Sequence, residues 1–128
     1  MRGRIGHILT SVALVVFPAL AESLMQHAGK IAPHRANPYA GNERAREAGQ
    51  KLFDENCGSC HGEAGKGNGR AKTPPLTTRF VHDADPGALF WVLRNGSPSH
   101  SMPSFQHLPE AQRWQIITYL QSLGEEQK

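Results

Sequence analysis

Three stretches of the chain place apolar residues at helical spacing. From Asn42 onward, Ala45, Ala48, Gly49, Leu52 and Phe53 share one face. Asn42 suits an N-cap, and Glu43 and Glu47 suit the positive end of a helix dipole. A helix is predicted there from about Glu43 to Glu55. Gly49 costs stability inside it unless another backbone passes close by. A second helix starts at Asp85-Pro86, an N-cap followed by proline at the first helical position. Leu89, Phe90, Val92 and Leu93 continue it, and Asn95-Gly96 stops it. A third begins near Pro109-Glu110. Ile116, Ile117, Leu120 and Leu123 form its apolar stripe, with Trp114 and Tyr119 beside it and Gly124 at its end. No alternation with a period of two is present, so the expected fold class is all-α with long loops.

The connecting segments are polar or rich in turn formers. Residues 62–79 carry Gly62, Gly65, Gly67, Gly69, Pro74 and Pro75 and read as a loop, as do residues 97–107 with Pro98 and Pro103. Residues 22–41 mix Ala, Pro, Gly, His and Asn with little periodicity, and Pro33 and Pro38 discourage a continuous helix. They read as an extended leader, lying on the surface or mobile. The first 21 residues read as a signal peptide. Arg2 and Arg4 precede an apolar run from Ile8 to Leu20, and Ala19-Leu20-Ala21 is an A-x-A cleavage site before Glu22. The alternative is an uncleaved anchor, for which the run is short. The resulting division is a signal peptide (1–21), a leader (22–41), one helical domain (42–124) and a tail (125–128).

Composition narrows the function. At 128 residues the chain holds one small domain. The net charge of +3 falls to +1 once Arg2 and Arg4 are removed, and no basic run points to nucleic acid. Two cysteines exclude a multi-disulfide scaffold and a four-cysteine zinc site. Three short helices supply few apolar positions for a core, a deficit that a large apolar cofactor would remove.

Those two cysteines lie in Cys57-Gly58-Ser59-Cys60-His61, a C-x-x-C-H sequence of the kind that attaches c-type haem. On a helical turn these three side chains face one way. Both thiols can then add to the vinyl groups of one porphyrin, with His61 beneath the iron. A thioredoxin-like site needs a preceding strand, a zinc site needs further ligands, and a plain disulfide leaves His61 unexplained. In the oxidising compartment that export implies, the thiols pair unless haem captures them. The second axial ligand must come from elsewhere. Met102, followed by Pro103 in a loop, is the favoured candidate, because a neutral thioether suits a raised-potential His/Met site. Met25 lies in the leader; His100 is the main competitor, with His82 and His107 behind it.

With these residues in place, the sequence resembles a class I cytochrome c from about Ala40 to Leu123. The resemblance rests on Gly49-x-x-x-Phe53, Cys57-x-x-Cys60-His61-Gly62, the glycine-rich loop, Leu76, Asn95-Gly96, Met102-Pro103, and Trp114, Tyr119 and Leu120 of the last helix. It implies a small cytochrome c fold, with three to four helices around one covalently bound haem c. The first helix would cross the last, with Gly49 and Phe53 against the Tyr119 region. His61 and Met102 would ligate the iron. Pro74, Pro75 and Leu76 would line the cofactor, and the carbonyl of Pro74 or Pro75 would accept the His61 ring hydrogen bond. A narrower similarity, in Asn37–Asn42 and Met102–Tyr119, is to bacterial cytochromes that serve quinoprotein (PQQ-dependent) dehydrogenases.

The signal segment implies a soluble protein in the periplasm or another extracytoplasmic compartment, and the resemblance implies an electron-transfer protein with no enzymatic activity. It would carry single electrons between redox partner proteins, from a dehydrogenase to a terminal oxidase, without a membrane span after signal cleavage. Lys66, Arg70 and Lys72 form the one candidate charge cluster for docking near the haem edge. The alternative is a haem peroxidase or gas-binding protein with a labile distal position.

Overall fold

A computed structural model describes residues 19–68, 73, 75–97 and 101–124. Six α-helical segments are present among them: α1 (Ala19–Ile31), α2 (Glu43–Asn56), α3 (Gly58–His61), α4 (Arg79–His82), α5 (Pro86–Asn95) and α6 (Glu110–Ser122). A short 3-10 turn covers Glu63–Gly65. No strand occurs among the described residues, only an isolated pairing of Ser97 with Met102. The fold is the expected small all-α architecture.

The capping residues act as their chemistry dictates. The Asn42 side chain accepts from the Ala45 N–H at 3.0 Å, and Asp85 accepts from the Gly87 N–H at 2.7 Å. The core lies where α2, α5 and α6 meet, and Phe53, Ile116 and Ile117 are its most deeply buried side chains. Phe53 meets Tyr119 with ring centroids 5.5 Å apart, joining α2 to α6. Phe90 stacks on Trp114 at 4.4 Å, joining α5 to α6. A Cβ at Gly49 would lie 1.9 Å from the Gln115 carbonyl oxygen and 3.1 Å from the Ile116 nitrogen. The glycine therefore sits where the α6 backbone passes against α2.

The leader differs from its sequence reading. Its first half is helical, as α1, because Leu24, Met25 and Ala28 share an apolar face that docks on α5. The prolines do not prevent this helix; Pro33 lies just beyond its end, where the chain must become extended. The second half is irregular, closing in a turn at residues 38–41, and is strapped down. The buried Asn37 donates to Thr118 Oγ1 at 2.9 Å, Arg35 donates to Glu110 at 2.6 Å, and His34 pairs with Asp85. The Arg35 bond, with a second from Trp114, holds the Glu110 carboxyl below the usual carboxylate range. This contact therefore favours the docked strap above that range and is lost as acid protonates Glu110.

Most of the predicted signal segment and the whole 125–128 tail lie outside the described residues. The last three residues of that segment form the start of α1. Among the described residues no helix is long and apolar enough to cross a membrane.

Gly49→Ala is expected to lower the unfolding free energy by about 3 kcal/mol, because a backbone oxygen cannot rotate away as a side chain can. Denaturant unfolding of the purified variant measures this. An unchanged midpoint would mean that the α2–α6 crossing is looser than the geometry indicates.

Candidate haem-attachment site

The helix junction builds the site. Cys57 is the C-cap of α2, its N–H donating to the Phe53 carbonyl at 2.7 Å. The chain then turns at once into α3, with the Cys60 and His61 N–H groups donating to the Cys57 carbonyl at 3.1 and 2.9 Å. One helical turn therefore carries Cys57, Cys60 and His61, as the spacing predicts. Cys57 is buried as part of the core cluster that also holds Phe53 and Leu89, whereas Cys60 is exposed. Burial, reinforced by Cys60 and Asp54, pushes the Cys57 thiol up to about 11. Such a thiol stays protonated near neutral pH, unlike the activated thiolate of a redox C-x-x-C site. His61 is half-buried, with its Nδ1 edge inside the protein, which leaves Nε2 as the nitrogen available to a metal.

The following loop folds back over this turn. The Gly67 N–H donates to the His61 carbonyl at 2.7 Å, and the Leu76 N–H donates to Gly65 at 2.7 Å. Leu76 is half-buried against the core, while Pro75 is exposed. Pro74 lies outside the described residues, as do Arg70, Lys72 and His100.

Met102 reaches the core from the α5–α6 connection. Ser97 and Met102 exchange backbone hydrogen bonds of 2.9 and 3.1 Å, and Phe105 donates to the Leu93 carbonyl at 2.8 Å. Gly96, at φ 68°, permits this path, since a Cβ there would lie 2.6 Å from the Met102 carbonyl oxygen. Met102 is half-buried and packs on the same core cluster as Cys57 and Leu76. Two non-glycine residues among those described adopt the left-handed region: Ala64 after His61, at φ 50°, and Ser101 before Met102, at φ 61°. Strain at such positions persists only where the surroundings enforce it.

The other histidines have different surroundings. His82 bonds Asp83 at 2.7 Å and lines a polar pocket with Asn37, Glu43 and Thr118. His107 is exposed beside Phe105. Among the described residues no three His, Cys, Asp or Glu side chains gather as metal ligands.

A profile of the family described as cytochrome c oxidase, cbb3-type, subunit III matches residues 44–120. The chain belongs to this family. It is 35% identical over 78 residues to the cbb3-type cytochrome c oxidase subunit FixP of Bradyrhizobium diazoefficiens, covering 59% of this chain and 27% of that protein. It is 32% identical over 116 residues to the CcoP subunit of Rhodobacter capsulatus, covering 84% of this chain and 37% of that protein. The chain thus spans 27 to 37% of the length of these relatives. Among solved structures, cytochrome CL from the marine methylotroph Methylophaga aminisulfidivorans superposes with a TM-score of 0.56 at 25% identity. That match covers 66% of this chain and 57% of cytochrome CL.

Cytochrome c domains of this kind are electron-transfer modules that hold haem c covalently, and the residues present fit that group. Two thiols stand one turn apart, an imidazole next to them keeps one nitrogen inside, and a half-buried thioether packs on the shared core cluster. Sequence reasoning missed what surrounds Met102. Leu24, Met25 and Ala28 of α1 pack with Trp91 and Val92 into the cluster that Met102 touches. Their helical spacing ahead of Pro33 was the available signal.

Cys57→Ala and Cys60→Ala are each expected to cut the yield of covalently bound haem severalfold, and the double variant to abolish it. Haem staining after denaturing extraction checks this. Haem that survives extraction from the double variant would remove these cysteines from the attachment chemistry.

Proposed function

We propose that this chain is an exported monohaem carrier of single electrons, accepting from a quinoprotein dehydrogenase and delivering to a terminal oxidase. The observation that carries the reading is the single turn of Cys57, Cys60 and His61 inside a cytochrome c domain. When bound, the haem supplies one-electron Fe(III)/Fe(II) chemistry. The protein's part is to hold and tune it. Cys57 and Cys60 would hold it through their sulfurs, and His61 and Met102 would supply a nitrogen and a sulfur donor to its iron. The Pro74 or Pro75 carbonyl orients the imidazole, and Leu76 lines the cofactor. Met102 is preferred because its loop is tied to the end of α5 by the Ser97 pair and its side chain lies on the core. His82 is engaged with Asp83 instead.

The named relatives support an oxidase on the accepting side, since they are subunits of cbb3-type oxidases. The donor reading rests on the similarity of Asn37–Asn42 and Met102–Tyr119 to cytochromes of quinoprotein dehydrogenases. Export rests on the Arg2 and Arg4, apolar run and Ala19-Leu20-Ala21 order, with cleavage before Glu22 and a periplasmic location. A shuttle releases its partners quickly, so its contacts are small and transient. With a net charge near +1 after cleavage, long-range steering is weak.

Met102→Ala is expected to abolish the thioether-to-iron band at the red end of the ferric spectrum and to lower the reduction potential. His100→Ala should leave both unchanged. The reverse outcome would make this a bis-histidine protein.

Stopped-flow mixing with a purified periplasmic quinoprotein dehydrogenase is expected to reduce the ferric protein, with only a modest dependence on salt. Fast reduction by a quinol oxidoreductase and none by any quinoprotein would place it within a respiratory chain instead.

A further inference from the structure

The helix α1 has no counterpart in the expected division of the chain, and its position gives it a task. We propose that α1 is a wall of the haem crevice, whose Leu24, Met25 and Ala28 hold the Met102 loop against α5 and keep solvent from the iron. This rests on Met102 being the axial donor.

Ala28 is fully buried, and it forms a small apolar cluster with Ala88 and Val92 of α5, which are 2% and 7% exposed. Leu24, Met25, Trp91 and Met102 all pack on that cluster. Met25 and Met102 also both pack on the main core, which contains Cys57. Met102 therefore borders the small cluster that α1 and α5 build together, as well as the main core. The His27 ring meets Trp91 edge-on at 6.3 Å, adding a second α1–α5 contact. The α1 helix also borders an open groove of about 760 Å3 shared with Phe80, Ala84 and Ala88. Met25 lines that groove and also packs on both clusters that Met102 touches.

A 13-residue helix with Gly29 in it is marginal in water by itself, so α1 stays helical because it is docked. Docking and Met102 ligation are then coupled in both directions. Whatever α1 contributes to holding Met102, ligated Met102 returns to α1. Shielding also acts on the metal, since ferric iron bears the extra charge that a low-dielectric site disfavours. Signal cleavage after Ala21 would leave Leu24, Met25 and Ala28 in place. The strap from His34 to Asn37 then sets where the helix can lie.

The test uses full-length holoprotein with haem attached. Ala28→Glu puts a carboxylate where no water reaches and should undock α1. We expect loss of the ferric thioether band, a lower reduction potential, and CO binding to the ferrous form about tenfold faster than in wild type. Haem surviving denaturing extraction should be unchanged. Met25→Ala should show the same changes more weakly, and Met25→Leu should restore wild-type behaviour. If Ala28→Glu does not accumulate, a protease site inserted between Ala32 and Pro33 allows α1 to be cut and dialysed away from finished holoprotein. An unaltered band, potential and CO rate after either treatment would overturn the proposal. A wild-type protein lacking the band would overturn the Met102 reading, and the proposal with it.

Discussion

At Gly49 the α2 backbone comes so close to Gln115 of α6 that one methyl group would overlap a carbonyl oxygen. Two helices can approach in this way only where one has no side chain, and the approach fixes their relative position within narrow limits. Phe53, one turn further along α2, then meets Tyr119 in the buried centre. One turn beyond that, α2 ends at Cys57, which is placed in the core by the same geometry. The turn that carries Cys57, Cys60 and His61 is therefore a continuation of the helix crossing.

A second constraint acts from the other end of the core. The α5 helix leans on α6 through Phe90 and Trp114, and its C-terminus releases the chain at Gly96 into the loop that carries Met102. The Ser97–Met102 pair and the Phe105 bond to Leu93 tie that loop to the helix it leaves. The His61 imidazole is thus anchored to α2 and the Met102 thioether to α5, with α6 packed against both helices. A rigid frame of this kind suits electron transfer, where little rearrangement should accompany a change in iron charge.

Much of this was legible along the chain. The bounds of α2, α5 and α6 follow from Asn42, from Asp85-Pro86 and Gly96, and from Pro109 and Gly124. The cost of Gly49 in a helix signalled a close partner, and the C-x-x-C-H spacing signalled a cofactor turn. The leader was less legible. Ala19–Ile31 has good helix formers but too short a stripe to stand alone, and its docking face became evident only beside Ala88, Trp91 and Val92. Arg113 was also hidden. It is buried with its guanidinium carbon 4.5 Å above the Phe90 ring, an arrangement that α5 and α6 create together. Burial lowers its pKa.

By itself the sequence determined the helical class, the ends of α2, α5 and α6, and the single turn that carries Cys57, Cys60 and His61, because each depends on residues within a few positions of one another. Caps, periodicity and a five-residue motif act over one or two helical turns. Only the tertiary structure decided that α1 is a helix, that residues 34–37 strap it to α5 and α6, and that Met25 and Met102 share a cluster. Those outcomes depend on apolar area and hydrogen bonds contributed by segments more than fifty residues apart, and no local pattern encodes which distant surface will be there to meet them.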